Sequence, residues 1–300
     1  MQTLESLARR TTTLRRIRGV VRTMKMLSVV NAVPFDRAAM SIDAFHETVL
    51  AGFQVVLAGI DIAQLSAPRP DASGVVLVFG SDHGLCGGFN EEAAKFTAMQ
   101  LANRQAPARA IAIGARLAAA LEATGVEPVE TFSPPASMEG VGPLAAALLI
   151  ALDRERDSGG AIVVEVVHNQ RAEAGTYRSV MSRLLPIDKR WLQELKRRPW
   201  RSTTLPTYSM DTESLFAALV RQYLFASLFE ATAESMAAEN AARLALMQQA
   251  EHALDDRLEE LMGDERRVRQ SQVTDELLDV IAGFEALSGR ATSGSSRDKY

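Results

Sequence analysis

At 300 residues with 47% hydrophobic side chains, the chain can bury one large core or two smaller ones. A formal net charge of only -4 excludes a nucleic-acid binder recruited by global charge, and a single cysteine excludes an internal disulfide framework and favours a reducing, cytosolic setting. In the apolar first segment the longest uncharged stretch, Thr48 to Ile60, is 13 residues against about 20 for a membrane-crossing helix, so membrane contact is expected only through partners.

From Gln2 to about Leu65 the pattern is helical. Leu4, Leu7, Thr11, Leu14, Ile17, Val21, Met24 and Leu27 form one stripe spaced by threes and fours. The back of that helix is basic, with Arg9, Arg10, Arg15, Arg16, Arg18, Arg22 and Lys25 against Glu5 alone, a composition that also fits a mitochondrial transit peptide. Pro34 removes a helical N–H and disfavours the α conformation at Val33, which predicts a kink or short break. After the linker APRPDASG (67–74) the period changes. Strand-like Val75–Phe79, Arg109–Ile113, Pro128–Phe132 and Ile162–Val167 alternate with helical 91–103, 115–123 and 144–156, implying a largely parallel sheet in an α/β layer. Tyr177–Leu185 adds an edge strand and leads into a basic irregular linker, 188–208, that contains DKRWLQELKRRPWR.

From Ser209 to Leu287 there is no proline, and a helix of those 79 residues would span roughly 120 Å. Asp211 is its expected N-cap with Glu213 in the first turn. Leu254, Leu258, Leu261 and Val268, then Leu277, Ile281, Phe284 and Leu287, keep coiled-coil spacings. Ten alanines within 226–253 let a partner helix approach closely. The economical fold is α/β: a long antiparallel coiled coil of the N-terminal helix (1–66) and the C-terminal helix (209–287), with a Rossmann-like domain (74–187) inserted and a flexible tail at 288–300. A compact helical bundle on an α/β domain is the alternative.

The stretch SDHGLCGGFN (81–90) follows the first strand and packs Ser81, Asp82, His83, Gly84, Leu85, Cys86, Gly87, Gly88 and Asn90 into one turn. Its spacing fits no phosphate loop, because Gly87 and Gly88 are followed by Phe89 and Asn90 rather than lysine and Ser/Thr, and it fits no dinucleotide fingerprint. A hydrolytic triad converges from separate elements, whereas Ser81, Asp82 and His83 are adjacent. His83 and Cys86 lack a second cysteine for a structural zinc site. The bland account is a tight turn, with Asp82 and Asn90 capping and Cys86 and Phe89 packing. The pairs Asp255–Asp256 and Glu259–Glu260 read as a solvated face. The basic run at 188–201, with Trp191 and Trp200, has the composition to touch anionic lipid or nucleic acid, against a solvated linker as the commoner outcome. Arg266, Arg267, Arg269 and Gln270 form the densest polar cluster near the end of the last helix, suited to charge-assisted contact with acidic loops.

Four segments together resemble the gamma subunit of the F-type rotary ATP synthase: TMKM (23–26), SDHGLCGGFN, AAENAARLALMQQA (237–250) and RQSQVTDELLDVIAGFEAL (269–287). His83 stands where the family more often has arginine, and residues 103–160 match only in pattern. The resemblance implies the same antiparallel coiled coil and inserted domain, acting as a central shaft that turns with a membrane ion-carrying c-type ring and distorts catalytic sites held by alpha and beta subunits. ATP chemistry then belongs to those partners and to no cofactor or metal on this chain; an epsilon-type stalk subunit is a further partner, and no nucleic acid is. By position, Met24 and Lys25 are implied to face beta-subunit loops, and Arg269, Gln270 and Thr274 to hydrogen-bond to beta. The helix motif begins near Leu7, which leaves no room for a cleaved presequence and implies the cytoplasmic face of a bacterial plasma membrane. LSVVNAVPF (27–35) replaces the family's alanine- then Lys/Arg-rich stretch, which marks a divergent member, of an alternative rotary ATPase coupled to protons or sodium. For the 81–90 loop the expected task is packing at the foot of the shaft, the alternative being contact with a stalk subunit or the ring. Two rival readings are an α/β nucleotide- or small-molecule-binding enzyme with helical oligomerisation arms, for which ligand-dependent thermal stabilisation is diagnostic, and a coiled-coil scaffold unrelated to ATP, told apart only by its partners.

Overall fold

The computed structural model describes residues 3–65, 73–104, 106–159, 163–172, 176–200, 203–204 and 206–294. Its contacts divide the chain into two compact units, residues 1–24 with 247–300 and residues 25–246. Two helices enter both: α1 (Leu4–Leu57) and α6 (Thr212–Gly294).

Helix α1 buries one row at a strict seven-residue repeat. Leu7, Val21, Ser28, Phe35, Ile42, Val49 and Val56 are all buried, and Leu14 is half-buried. Such a repeat holds one face of a helix toward a coiled-coil partner. The stripe expected from sequence drifts off this row at Ile17 and Leu27, which are 44% and 55% exposed. It followed the most apolar residues, whereas the seam keeps its register even where the residue on it is Ser28. The break expected near Pro34 is absent, and the helix runs through it. Proline removes one backbone hydrogen bond, but the neighbouring Phe35 is 2% exposed and packs on Val141, Met236 and Ala237, which pins the chain on that turn. The helix stops at Leu57 rather than near residue 66, and a short 3-10 turn, Ile62–Gln64, follows under an Asp61 cap that accepts from the Ala63 N–H at 3.0 Å.

In the first unit α1 and α6 run antiparallel, since Arg18 pairs with Asp255 at 2.9 Å and Arg22 with Glu251 at 2.6 Å, four steps up one helix for four down the other. Leu7 and Val21 of α1 and Leu258 and Leu261 of α6 are buried there. Asp255 is therefore part of the helix pairing rather than a purely solvated face, and the arginine-rich start of the chain has an acidic complement in α6.

The second unit holds a five-stranded sheet in the order β3-β2-β1-β4-β5. Strands β1 (Gly74–Phe79), β2 (Ala108–Ile113), β3 (Pro128–Phe132) and β4 (Val163–Arg171) are parallel, and β5 (Tyr177–Leu185) is the expected antiparallel edge. Helices α2 (Phe89–Ala102) and α3 (Ala115–Ala123) cover the face of Val76, Val78 and Val167. On the other face Leu77, Phe79, Ile111 and Val166 pack against α4 (Val141–Gly159) and against Leu224 and Leu228 of α6. Between residues 231 and 242, α6 buries Ala231, Thr232, Ala233, Ser235, Ala237, Ala238 and Ala242, so its small residues serve close packing as expected.

The expected irregular linker 188–208 contains a helix, α5 (Lys189–Arg197), whose cap Asp188 accepts from the Arg190 N–H at 2.8 Å. Its cationic composition hid an apolar face, Trp191, Leu192 and Leu195. That face joins a separate core with Val49, Phe53 and Leu57 of α1 and Phe216 and Tyr223 of α6. Phe53 is fully buried and meets Phe216, Trp191 and Tyr223 edge-on at 5.7, 6.4 and 6.4 Å. Asp211 caps α6 as expected, accepting from the Ser214 N–H at 2.8 Å. The helix continues to Gly294, through the first part of the expected tail; Phe284 and Leu287 lie beyond the described side chains.

Phe53→Ala removes a ring packed on all sides and is expected to cost about 3–5 kcal/mol. The thermal unfolding midpoint of the purified chain should fall by several degrees, whereas Ile17→Ala, on the exposed back of α1, should leave it nearly unchanged.

Candidate functional site

Two places carry the residues singled out from sequence: the 81–90 loop in the second unit and the far part of α6 in the first. The loop leaves β1 and enters α2. Ser81 and Asn90, buried at its two ends, close it upon themselves: the Ser81 N–H donates to Asn90 Oδ1 at 2.9 Å, and Asn90 Nδ2 donates to Ser81 Oγ at 2.8 Å. The Ser81 hydroxyl donates in turn to the His83 carbonyl at 2.7 Å, so its proton is committed to backbone and not to a histidine ring. Asp82 reaches across to α3, where its Oδ1 accepts from the Ala115 N–H at 2.7 Å and supplies the cap that Gly114 lacks.

Close packing explains the glycine before the loop and the one facing it. A Cβ at Gly80 would lie 2.6 Å from Asn90 Oδ1 and from Leu117 Cβ. One at Gly114, where φ is +122°, would lie 2.7 Å from the Ser81 carbonyl oxygen. Gly87 takes a left-handed turn at φ +68° and Leu85, 54% exposed, does the same at φ 65°, a conformation unfavourable for a bulky residue. Gly84 and Gly88 complete the turn, with Gly88 immediately before α2.

The loop's inner side docks on α6. Cys86 and Phe89 pack against Ala238 and Ala242, and Phe89 meets Tyr177 of β5 at 5.1 Å. Burial pushes the Cys86 thiol above its ordinary value and the Tyr177 hydroxyl up to about 12, with the charge of Glu92 adding to the second effect. The expectation of packing for this loop thus has a named counterpart, the alanine-rich turn of α6.

Sequence reasoning passed over three buried polar groups. Asn169, fully buried, donates from Nδ2 to the Phe89 carbonyl at 2.8 Å and accepts from the Ser179 hydroxyl at 2.7 Å, tying β4 and β5 to the loop's exit. Glu239 is ion-paired with Arg243; burial pushes its carboxyl up and the guanidinium draws it back. Glu165, near the start of β4, pairs with Arg104 at 3.0 Å and Arg183 at 3.2 Å. The signal was present as single polar residues set in otherwise apolar runs, Asn169 at the end of a valine-rich strand and Glu239 among alanines.

Among the described residues no three His, Cys, Asp or Glu side chains converge on a metal-binding geometry, and no helix is long and apolar enough to cross a membrane. Met24 and Lys25 are half-buried on α1. Arg269, Gln270 and Thr274 are exposed on α6, where the Thr274 hydroxyl donates to the Gln270 carbonyl at 2.9 Å. Met24 and Arg269 do not form one site. Arg22 faces Glu251, and Arg269 lies a further 18 residues along α6, about 27 Å on. From Arg269 to Gly283 every residue is exposed, including Val273, Leu277, Leu278, Val280 and Ile281 at 51–69%. Leu277, Val280 and Ile281 recur at helical spacing, an exposed apolar stripe with none of the described residues packed over it.

Residues 3–287 match the family model described as ATP synthase. The chain is 28% identical over 296 residues to the ATP synthase gamma chain of Frankia casuarinae, covering 91% of this chain and 96% of that protein. It is 24% identical to the gamma chain of Rhodopirellula baltica, over 96% of this chain and 100% of that one. Among solved structures, a chain of the Euglena gracilis mitochondrial ATP synthase, from its OSCP/F1/c-ring part, aligns over 99% of this chain and 98% of its own at a TM-score of 0.66 and 14% identity. A chain from the central stalk and c-ring of the Tetrahymena thermophila mitochondrial ATP synthase aligns over 77% of this chain at a TM-score of 0.57 and 19% identity.

A buried thiol held above its ordinary pKa ionises little at neutral pH, and the thiolate is the reactive form. Cys86 should therefore react with a disulfide reagent at least about tenfold more slowly than free cysteine, and denaturant should abolish the difference. Gly114→Ala, forced against the Ser81 carbonyl, should open the loop and speed the reaction in buffer.

Proposed function

This chain belongs to the ATP synthase gamma-chain family as its noncatalytic central-stalk member, and we propose that it couples rotation of a membrane ion-carrying ring to ATP synthesis or hydrolysis in an alpha/beta catalytic ring. The exposed stripe on α6 carries this reading. A helix that continues for at least 14 residues past Arg269 with its apolar side chains in water is incomplete alone. The interior of a ring of partner subunits would complete it, and a central helix there can press on each subunit in turn.

Torque needs a shaft whose two strands cannot slip. The Arg18–Asp255 and Arg22–Glu251 pairs, flanking a buried apolar seam, fix the register of α1 on α6 in the first unit. In the second unit the shaft helices share their cores with the sheet, so a push on α6 reaches the α/β domain through Leu224, Leu228 and the alanine-rich turn. Arg269, Gln270 and Thr274 are assigned to hydrogen bonds with beta, and Met24 and Lys25 to a separate contact with beta loops. The remaining partners are an epsilon-type stalk subunit and the c-type ring, at the cytoplasmic face of a bacterial plasma membrane. Position-by-position likeness to the gamma-chain motifs supports these assignments.

Affinity purification of the tagged chain from its own cells should recover alpha and beta subunits, and recovery of a complex with no ATPase subunit would refute the reading. Arg269→Ala combined with Gln270→Ala should weaken assembly or uncouple hydrolysis from ion transport. Charge-assisted hydrogen bonds contribute about 1.5–3 kcal/mol each. Normal coupling and assembly in the double variant would withdraw the residue assignment while leaving the family role intact.

A further inference from the structure

Two glutamates one turn apart on α6 each face a histidine from a different element. Glu234 Oε2 lies 2.8 Å from Nε2 of His168 on β4, and Glu230 Oε2 lies 3.8 Å from Nδ1 of His46 on α1. Three further titratable or charged groups surround them. Asp43 of α1 adds to the negative side, Arg171 of β4 to the positive side, and Tyr223 of α6 rests against the His46 ring at 5.6 Å. Among the described residues neither glutamate is ion-paired with a lysine or an arginine, so the histidines are their nearest counter-charges. Leu228 and Ala231, on either side of Glu230, are buried in the sheet core, and α6 cannot turn that carboxylate away.

The two pairs are not equivalent. His168 is 7% exposed, and its Nδ1 is buried with no hydrogen bond among the described residues, so a second ring proton would place an N–H there without an acceptor. The ring donates through Nε2, and that hydrogen bond holds the Glu234 carboxyl below the ordinary carboxylate value. Glu234 therefore stays ionised at neutral pH and anchors α6 to the sheet. Glu230 is half-buried; burial pushes its carboxyl up, the charge of Glu234 pushes it further, and His46 draws it back. Like charges four residues apart on a helix destabilise it. Histidine is the side chain whose charge changes between about pH 5 and 8. The Glu230–His46 pair is thus where this junction takes up a proton, whichever partner holds it.

We propose that this pair is a proton-responsive latch where α6 meets α1 and the sheet: a proton taken up there offsets the repulsion between Glu230 and Glu234 and tightens α1 on α6, and its loss at alkaline pH loosens that grip. Phe45, beside His46, meets Phe225 of α6 edge-on at 6.3 Å, so a change at the pair is felt directly in the packing of the two helices. Linkage fixes the direction. A carboxyl raised by folding, as Glu230 is, contributes stability that is fully present below its ordinary value of 4.5 and lost as the pH rises through the raised one. Glu234, shifted the other way, contributes stability that is constant above 4.5 and lost only on further acidification. The latch stands on residues of the second unit alone and does not depend on the rotor reading.

The test compares the thermal unfolding midpoint of the full chain with that of Glu230→Gln, which carries the neutral side chain permanently, from about pH 8 down to about pH 5. At about pH 8 the variant should melt a few degrees above the wild type, and the gap should close on acidification as the wild type takes up its proton. Amide exchange over residues 42–49 of α1, compared between the two proteins at each pH, gives the local readout: slower in the variant at the alkaline end and equal at the acid end. Glu234→Gln should lower the midpoint throughout the range, because it takes the charged acceptor from the buried His168 ring. A gap between wild type and Glu230→Gln that does not change with pH, or a variant that melts below the wild type at about pH 8, would overturn the proposal. Equal exchange over 42–49 at every pH would overturn it as well.

Discussion

The burial of α6 between residues 224 and 242 is the constraint on which the second unit rests. Over this stretch the helix is covered by the sheet on one side, the glycine-rich loop on another and α1 on a third. From Ala231 to Ala242 small side chains let three neighbours come close, and a larger residue at the fully buried Ala233 would overpack the site. Close approach recurs lower down, where a Cβ on Gly52 of α1 would lie 2.6 Å from a methyl of Leu219. Specificity at this density comes from polar groups that must be matched, namely Asn169 on the loop's exit and Glu239 with Arg243.

The glycine-rich loop acquires its meaning from that packing. Its residues have the types of a catalytic turn, yet Ser81 and Asn90 bind one another, Asp82 caps α3, and Cys86 faces alanines of α6. The side chains of Ser81, Asp82 and Asn90 are engaged in holding the turn, while the His83 ring lies exposed. What the loop leaves outside is Leu85, His83 and the glycines, a small surface on a stiff support.

Helices, strands and their order were legible in the sequence because each has a strong local signature: the β-branched runs of β1 and β4, the proline-free length of α6, the Asp211 cap. Three features were not. Pro34 looked like a break because local backbone rules oppose it, and tertiary packing at Phe35 overrides them. Helix α5 was hidden by its charge, since Trp191, Leu192 and Leu195 show their apolar face only against Phe53 and Tyr223 from distant segments. The seam of α1 passes through Ser28 while leaving Leu27 in water, and hydrophobicity alone selects the wrong one. Of the residues singled out for function, the loop was found as a cluster, while Met24 and Arg269 are kept apart by the length of α6, which spacing within either motif does not reveal.

The claim that unites these features is that the last part of α6 is finished by other subunits. Hydrogen exchange of the backbone amides at 270–283, compared between the purified chain and the assembled complex, tests it most directly. An exposed single helix end frays and exchanges fast, whereas one enclosed by partners is protected. The account predicts rapid exchange alone and strong protection in the complex; equal exchange in both would contradict it.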